Sequence, residues 1–186
     1  TTEIYTLSLH DALPILVSSR DHKRVYDGDQ GPNTGGMGAV SPAPAYSSEI
    51  AQVVEKTIIQ KTVDAMAQEG IPFKGVLYTG LMLTEEGPKV LEYNCRFGDP
   101  EAQVVIPRLK TDLVEIILAI IDGNLADVKI EWEQETAVCV VMASGGYPGH
   151  YETGKIITGI DDAIKSGALV FHAGTAIKDD NIVIAG

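Results

Sequence analysis

The run Glu92-Tyr93-Asn94-Cys95-Arg96 places a carboxylate, a carboxamide and a guanidinium at alternate positions, directly after the apolar-rich Pro88-Lys89-Val90-Leu91. Alternate residues of a strand share a face, so Glu92, Asn94 and Arg96 are expected to emerge together at a strand's end. Two oxygen donors beside a fixed cation suit a magnesium-bound polyphosphate. Mg²⁺ takes hard oxygen ligands and keeps only one or two protein carboxylates, with phosphate and water completing its shell. A guanidinium can meet phosphoryl oxygens bidentately. The same spacing also fits a solvated strand face ending in a salt bridge, because short motifs recur by chance.

A second segment adds to the first. Asp21-His22-Lys23-Arg24 leads through Asp27-Gly28-Asp29-Gln30 into Gly31-Pro32-Asn33-Thr34-Gly35-Gly36-Met37-Gly38. Its glycines permit positive φ and close backbone approach, and successive amide N–H groups in such a turn can form an anion-binding concavity. Asn33 and Thr34 offer polar ligands, and Lys23 and Arg24 supply positive charge. Most glycine-rich loops are simply turns. This one lacks the Walker spacing, and no Gly-x-Gly-x-x-Gly is present in the chain.

Taken together and in order, the Asp21–Arg24 and Gly31–Gly38 segments, the Phe73–Met82 run and Leu91-Glu92-Tyr93-Asn94-Cys95-Arg96-Phe97-Gly98-Asp99-Pro100-Glu101-Ala102-Gln103 resemble the phosphoribosylamine–glycine ligase family of the ATP-grasp superfamily. Ala143–Gly149 and Phe171–Thr175 resemble pieces of that family's C-terminal domain, so the likeness runs from about Ser18 to the end of the chain. It implies an α+β fold: the C-terminal half of an ATP-grasp module, an antiparallel sheet with packed helices, followed by part of a small β-rich C-terminal domain. It also implies de novo purine synthesis, in which ATP phosphorylates glycine and the amine of 5-phosphoribosylamine displaces phosphate from glycyl phosphate. By the resemblance, Glu92 and Asn94 hold Mg²⁺ (or Mn²⁺), and Arg96 steadies the transferring phosphoryl group. Lys23 joins Arg96 among the catalytic groups and, with Asp21, orients glycine or the ribosyl phosphate. Asn33, Thr34, Gly35 and Gly36 fall to the substrate pocket. Asp99 and Glu101 either bind substrate or anchor the loop after the strand.

The elements that must position these groups are legible as patterns. Ser47 or Ser48 caps a helix with Glu49 in its first turn. Ile50, Val53, Val54, Thr57, Ile58 and Met66 form its apolar face, and Gly70 closes it. Phe73–Leu83 and Pro88–Cys95 read as strands joined by a Thr84–Gly87 hairpin. The far end of the second strand then lies against the start of the first. Thr111-Asp112 caps another helix, with Leu113, Ile116, Ile117 and Ile120 facing inward and Gly123 ending it. Beyond Asn124–Glu135 the pattern turns to short strands: Ala137–Ala143, Lys155–Thr158, Leu169–His172 and two runs around Asp179-Asp180-Asn181.

Three segments result. Residues 1–17 match nothing in the resemblance and read as a foreign or mis-joined stretch, their apolar positions fitting neither strand nor helix. Residues 18–130 are a partial ATP-grasp catalytic domain, and residues 131–186 a partial β-rich domain. The family's N-terminal domain and the first half of its ATP-grasp module have no counterpart here. The polypeptide is therefore expected to be an inactive fragment of a ligase.

Composition sets the outer bounds. The 186 residues are 45% hydrophobic and 22% charged, as in a globular chain with a real core. A net charge of −12 argues against nucleic acid or an anionic membrane as partner. Cys95 and Cys139 are too few for a metal cluster or disulfide scaffold and suit a reduced cytoplasmic setting. No apolar run approaches the roughly 20 residues that cross a bilayer. The expected partners are the small molecules glycine, 5-phosphoribosylamine and ATP, and the intact enzyme is expected to be a monomer. Three other readings stay open on the residues alone: another ATP-grasp carboxylate–amine ligase, a non-catalytic Mg-nucleotide or phosphate-binding module, or a structural remnant with no ligand.

Overall fold

The computed structural model describes the backbone of residues 2–10 and all of residues 17–186. In chain order its elements are β1 (Thr2–His10), β2 (Val17–Asp21), β3 (Arg24–Tyr26), β4 (Gln30–Asn33), β5 (Gly38–Ser41), α1 (Ser48–Val54), α2 (Gln60–Gln68), β6 (Gly75–Thr84), β7 (Gly87–Asn94), α3 (Ala102–Val105), α4 (Leu113–Asp122), β8 (Ala137–Val140), α5 (Ile160–Lys165), β9 (Thr175–Lys178) and β10 (Asn181–Ile184). They divide into two compact units. The larger holds residues 35–141 with the described residues up to Lys23, and the smaller holds Arg24–Thr34 and Met142–Gly186.

The larger unit is built on a six-stranded sheet in the order β7-β6-β1-β2-β5-β8, every neighbouring pair antiparallel. This is the expected antiparallel sheet with packed helices. Residues 1–15 carried no clean strand pattern, yet Thr2–His10 pairs with β6 along its whole length, from Thr2 opposite Leu83 to His10 opposite Gly75. That reading of periodicity is corrected, since a central strand is held by backbone ladders on both sides and needs no simple alternation. The β6–β7 hairpin turns at Glu85-Glu86. There Thr84 Oγ1 donates to the Gly87 carbonyl at 2.9 Å and accepts from the Glu86 N–H at 3.2 Å.

One face of the sheet carries Leu77 and Leu81 against Val54 and Ile59 of the helical layer. The helix starts where the sequence puts it, with Ser47 Oγ accepting from the Ile50 N–H. It ends at Gly70, in the left-handed region at φ 79°, with Gly70 N–H on the Ala67 carbonyl and Ile71 N–H on Met66. Between α1 and α2, Glu55–Ile59 forms one turn of π-helix. That wider turn shifts the inward face. Ile59 is fully buried, whereas Val53 is 45% exposed and Thr57 lies at the surface, which corrects the expected apolar stripe.

On the opposite face Tyr78 packs with Val17, Ala39, Val104 and Val105, and Phe97, Trp132 and Cys139 border that cluster. α4 has its expected caps: Asp112 Oδ1 accepts from the Val114 N–H at 2.7 Å, and Gly123 takes φ 78°. Its buried residues are Ile116, Ala119 and Ile120, so Ala119 takes the inward place expected of Ile117. Arg108 is buried and ties the strands beneath. Its guanidinium donates to the carbonyls of Glu133 and Glu135 and to Ser41 Oγ, and Ser41 Oγ donates on to the Ser18 carbonyl.

The smaller unit contains two hairpins, β3–β4 and β9–β10. The second turns through Asp179 and Asp180, both at positive φ. Lys155–Thr158 contributes a single bridge, Ile156 opposite Val183, and Leu169–His172 forms no strand. α5 lies between Gly159 and Gly167. Ile156, Leu169 and Phe171 of those two runs are all exposed. β8 pairs with β5, so it lies in the larger sheet, and the two compact units meet in sequence at Val141/Met142. No helix among the described residues is long and apolar enough to cross a membrane.

Candidate active site

The last turn of β7 is re-aimed by a bulge. Gly80 lies opposite Glu92 while the next residue, Leu81, lies opposite Val90, so Leu91 is supernumerary. Unbroken alternation would set Val90, Glu92 and Asn94 on one face. With the extra residue, Val90 joins Tyr93 on the helical side, where Tyr93 Oη meets Thr62 Oγ1 at 2.8 Å. Glu92 and Asn94 are left together on the other face, beside Tyr78, which pairs directly with Asn94. A groove of about 490 Å³ lies between Val90, Tyr93 and the helix residues Lys61, Thr62 and Met66. It is on the wrong side of β7 to serve Glu92 and Asn94.

β7 ends at Asn94, so strand alternation does not extend to Arg96. Arg96 is exposed in the following turn, where its Nη1 donates to the Phe97 carbonyl at 2.9 Å. The turn closes with the Ala102 N–H on the Gly98 carbonyl. Gly98 is packed so tightly that an added Cβ would overlap Glu101 Oε2 and lie 2.9 Å from Tyr78 Cζ. Glu101 itself is only 4% exposed, and its carbonyl accepts from the Val104 and Val105 N–H groups at the start of α3. Asp99 is exposed and accepts from Gln103 Nε2 at 2.6 Å.

Against this turn comes the end of β2. Asp21 is buried, and its Oδ2 lies 3.8 Å from Nζ of the part-exposed Lys23. The His22 N–H donates to Gly38, and the Met37 N–H donates back to His22, which carries the ladder past Asp21. Gly36, at φ 140°, sits where a Cβ would overlap Pro100 Cδ and approach Asp21 Oδ1 to 3.0 Å. Asp21, Lys23, Gly35, Gly36, Asp99 and Glu101 therefore share the larger unit with Glu92, Asn94 and Arg96. Asn33 and Thr34 fall in the smaller one, Asn33 as the last residue of β4, paired with Arg24. Pro100 and Gln103 stood in the quoted motif, but neither was singled out. Their contacts come from a turn and a helix start that spacing does not encode.

The donor set fits a hard divalent ion. Glu92 and Asn94 offer one carboxylate and one amide oxygen, and the described residues hold no group of three or more His, Cys, Asp or Glu side chains placed to bind a metal.

An antiparallel sheet with helices on its face, carrying Glu-x-Asn at the end of an edge strand, is the architecture of the ATP-grasp class. Residues 2–102 match the family description "Phosphoribosylglycinamide synthetase, ATP-grasp (A) domain", and residues 137–186 match its C domain. The chain belongs to the phosphoribosylglycinamide synthetase family. It is 51% identical over 171 residues to the phosphoribosylamine–glycine ligase of Caldanaerobacter subterraneus subsp. tengcongensis, a match covering 92% of this chain and 40% of that protein. It is 54% identical over 169 residues to the human trifunctional purine biosynthetic protein adenosine-3, covering 90% of this chain and 17% of the other. The crystal structure of the Thermotoga maritima phosphoribosylamine–glycine ligase superposes with a TM-score of 0.80 at 35% identity, covering 99% of this chain and 45% of that one. The chain thus spans less than half the length of each of these relatives.

Proposed function

We propose that this chain is the metal- and phosphoryl-handling part of a ligase that joins glycine to 5-phosphoribosylamine with ATP, forming glycinamide ribonucleotide, ADP and phosphate. The observation that carries this reading is the face that the Leu91 bulge leaves to Glu92 and Asn94, shared with Tyr78, whose ring lies close to Gly98 of the following turn.

In this reading Glu92 and Asn94 hold Mg²⁺ or Mn²⁺, which when bound neutralises charge on the triphosphate and draws electrons toward the leaving ADP. Arg96 moves its guanidinium from the Phe97 carbonyl to the transferring phosphoryl oxygens, a charge-assisted contact stronger than the neutral one it leaves. The glycine carboxylate attacks the γ-phosphorus, and the amine of phosphoribosylamine then displaces phosphate from the acyl carbon. No enzyme nucleophile is required, so catalysis consists of positioning and charge stabilisation. Lys23 presents its ammonium to a substrate anion. Asp21, buried behind it, orients that ammonium and does not itself meet substrate. Gly35 and Gly36 bring backbone close to substrate, and Asn33 and Thr34 offer polar groups to substrate. Asp99 accepts from a substrate N–H or O–H. Glu101 anchors the turn, its burial leaving it out of reach of ligand. The free thiols of Cys95 and Cys139 fit a cytoplasmic enzyme, which we take to be monomeric.

Two measurements test this. Calorimetry with Mg-ATP on the chain should show binding that Glu92→Gln removes. A full-length ligase carrying residues 18–186 of this chain should form ADP only when both glycine and phosphoribosylamine are present. Binding without turnover in that full-length enzyme would leave a nucleotide-binding module, and ADP formation supported equally by other carboxylates would leave a different ligase.

A further inference from the structure

α3 begins directly after the Phe97–Glu101 turn, and its second residue reaches back into it. Gln103 Nε2 donates to Asp99 Oδ1 at 2.6 Å. The other end of the same amide, Oε1, is buried without a hydrogen-bond partner among the described residues. Turning the amide over would set Oε1 against the carboxylate and lose the bond, so the orientation is fixed by Asp99. A buried acceptor left without a donor costs stability. Leu or Met would fill the same space, favour the helix equally and carry no such penalty. What glutamine adds over either is the bond to Asp99.

We infer that Gln103 is a positioning residue: it holds one oxygen of the exposed Asp99 carboxylate so that the other is aimed at an N–H or O–H donor of the substrate. This rests on the assignment of Asp99 to the substrate pocket above. An aspartate free to rotate would lose affinity on binding, because its rotamers must then be frozen.

The test compares Gln103→Leu and Gln103→Glu. In the 186-residue chain, Gln103→Leu keeps or raises the thermal midpoint. In the full-length ligase carrying residues 18–186, it raises KM for glycine or phosphoribosylamine about tenfold, with kcat within about twofold. Gln103→Glu, which sets a second carboxylate against Asp99 where the amide donated, raises KM further. A midpoint lowered by several degrees in Gln103→Leu makes the amide a structural brace and overturns the inference. So do unchanged KM values in both variants. An unsubstituted full-length enzyme with no turnover sinks the functional reading itself, and the role of Asp99 with it.

Discussion

Gly36 lies directly against Pro100, so close that a Cβ on the glycine would occupy the space of Pro100 Cδ. The glycine-rich segment and the turn after the acid–amide strand are therefore locked by a contact that only a hydrogen at Gly36 permits. Gly36→Ala must displace the turn and also holds an L side chain at φ 140°. It is expected to destabilise the chain by about 2–4 kcal/mol in urea denaturation. A loss below about 0.5 kcal/mol would show that the turn moves freely.

The bulge gives β7 an unusual tolerance to deletion. Removing Leu91 leaves Val90 and Glu92 adjacent, hence on opposite faces as they already are. Removing Tyr93 instead makes Glu92 and Asn94 neighbours and sends them to opposite faces. Mg-ATP affinity, read by calorimetry, should stay within about threefold on deletion of Leu91 and be lost on deletion of Tyr93. Equal losses from both would refute the shared-face site.

Arg108 donates to three neutral acceptors and has no carboxylate within salt-bridge distance among the described residues. Burial pulls its pKa below the usual arginine value. Arg108→Met removes the donors to two carbonyls and to Ser41 Oγ, which keeps only its own bond to the Ser18 carbonyl. A loss of about 3 kcal/mol in chemical denaturation is expected, with Arg108→Lys recovering only part of it.

Cys139 should titrate late. Burial first, and the Asp99 carboxylate second, hold its thiol above the ordinary range. The folded chain thus keeps this proton where the unfolded chain has lost it. The contribution to stability is complete below the unfolded thiol pKa, about 8.5, and declines as pH climbs through the folded value. Iodoacetamide should label the exposed Cys95 first. Asp99→Asn should speed labelling of Cys139, and no change in its rate would mean that the two groups do not interact.

Much of this architecture was legible from local chemistry. The Thr84–Gly87 turn, the Ser47 and Asp112 caps and the left-handed Gly70 and Gly123 all rest on interactions within a few residues, which is why patterning finds them. So does the alternation of Glu92 and Asn94. What escaped depends on distant partners or on a count changed by one. β1 is defined by its neighbours, the Ile59 face by a widened turn, and the seat of Gly36 on Pro100 by chain segments more than sixty residues apart. The Asn33–Thr34 half of the glycine-rich segment falls in the smaller unit for the same reason: strand pairing with Arg24 outweighs adjacency in sequence.

The widened turn at Glu55–Ile59 makes the rod from Ser48 to Gln68 two reading frames spliced end to end. Excising one residue there would knit them into a single continuous coil, but would swing everything downstream by about 100°. Thr62 would then leave the hydroxyl of Tyr93, and the strand bearing the acid and amide would lose its grip on the layer behind it. The splice sets the rotational phase on which the back of β7 depends.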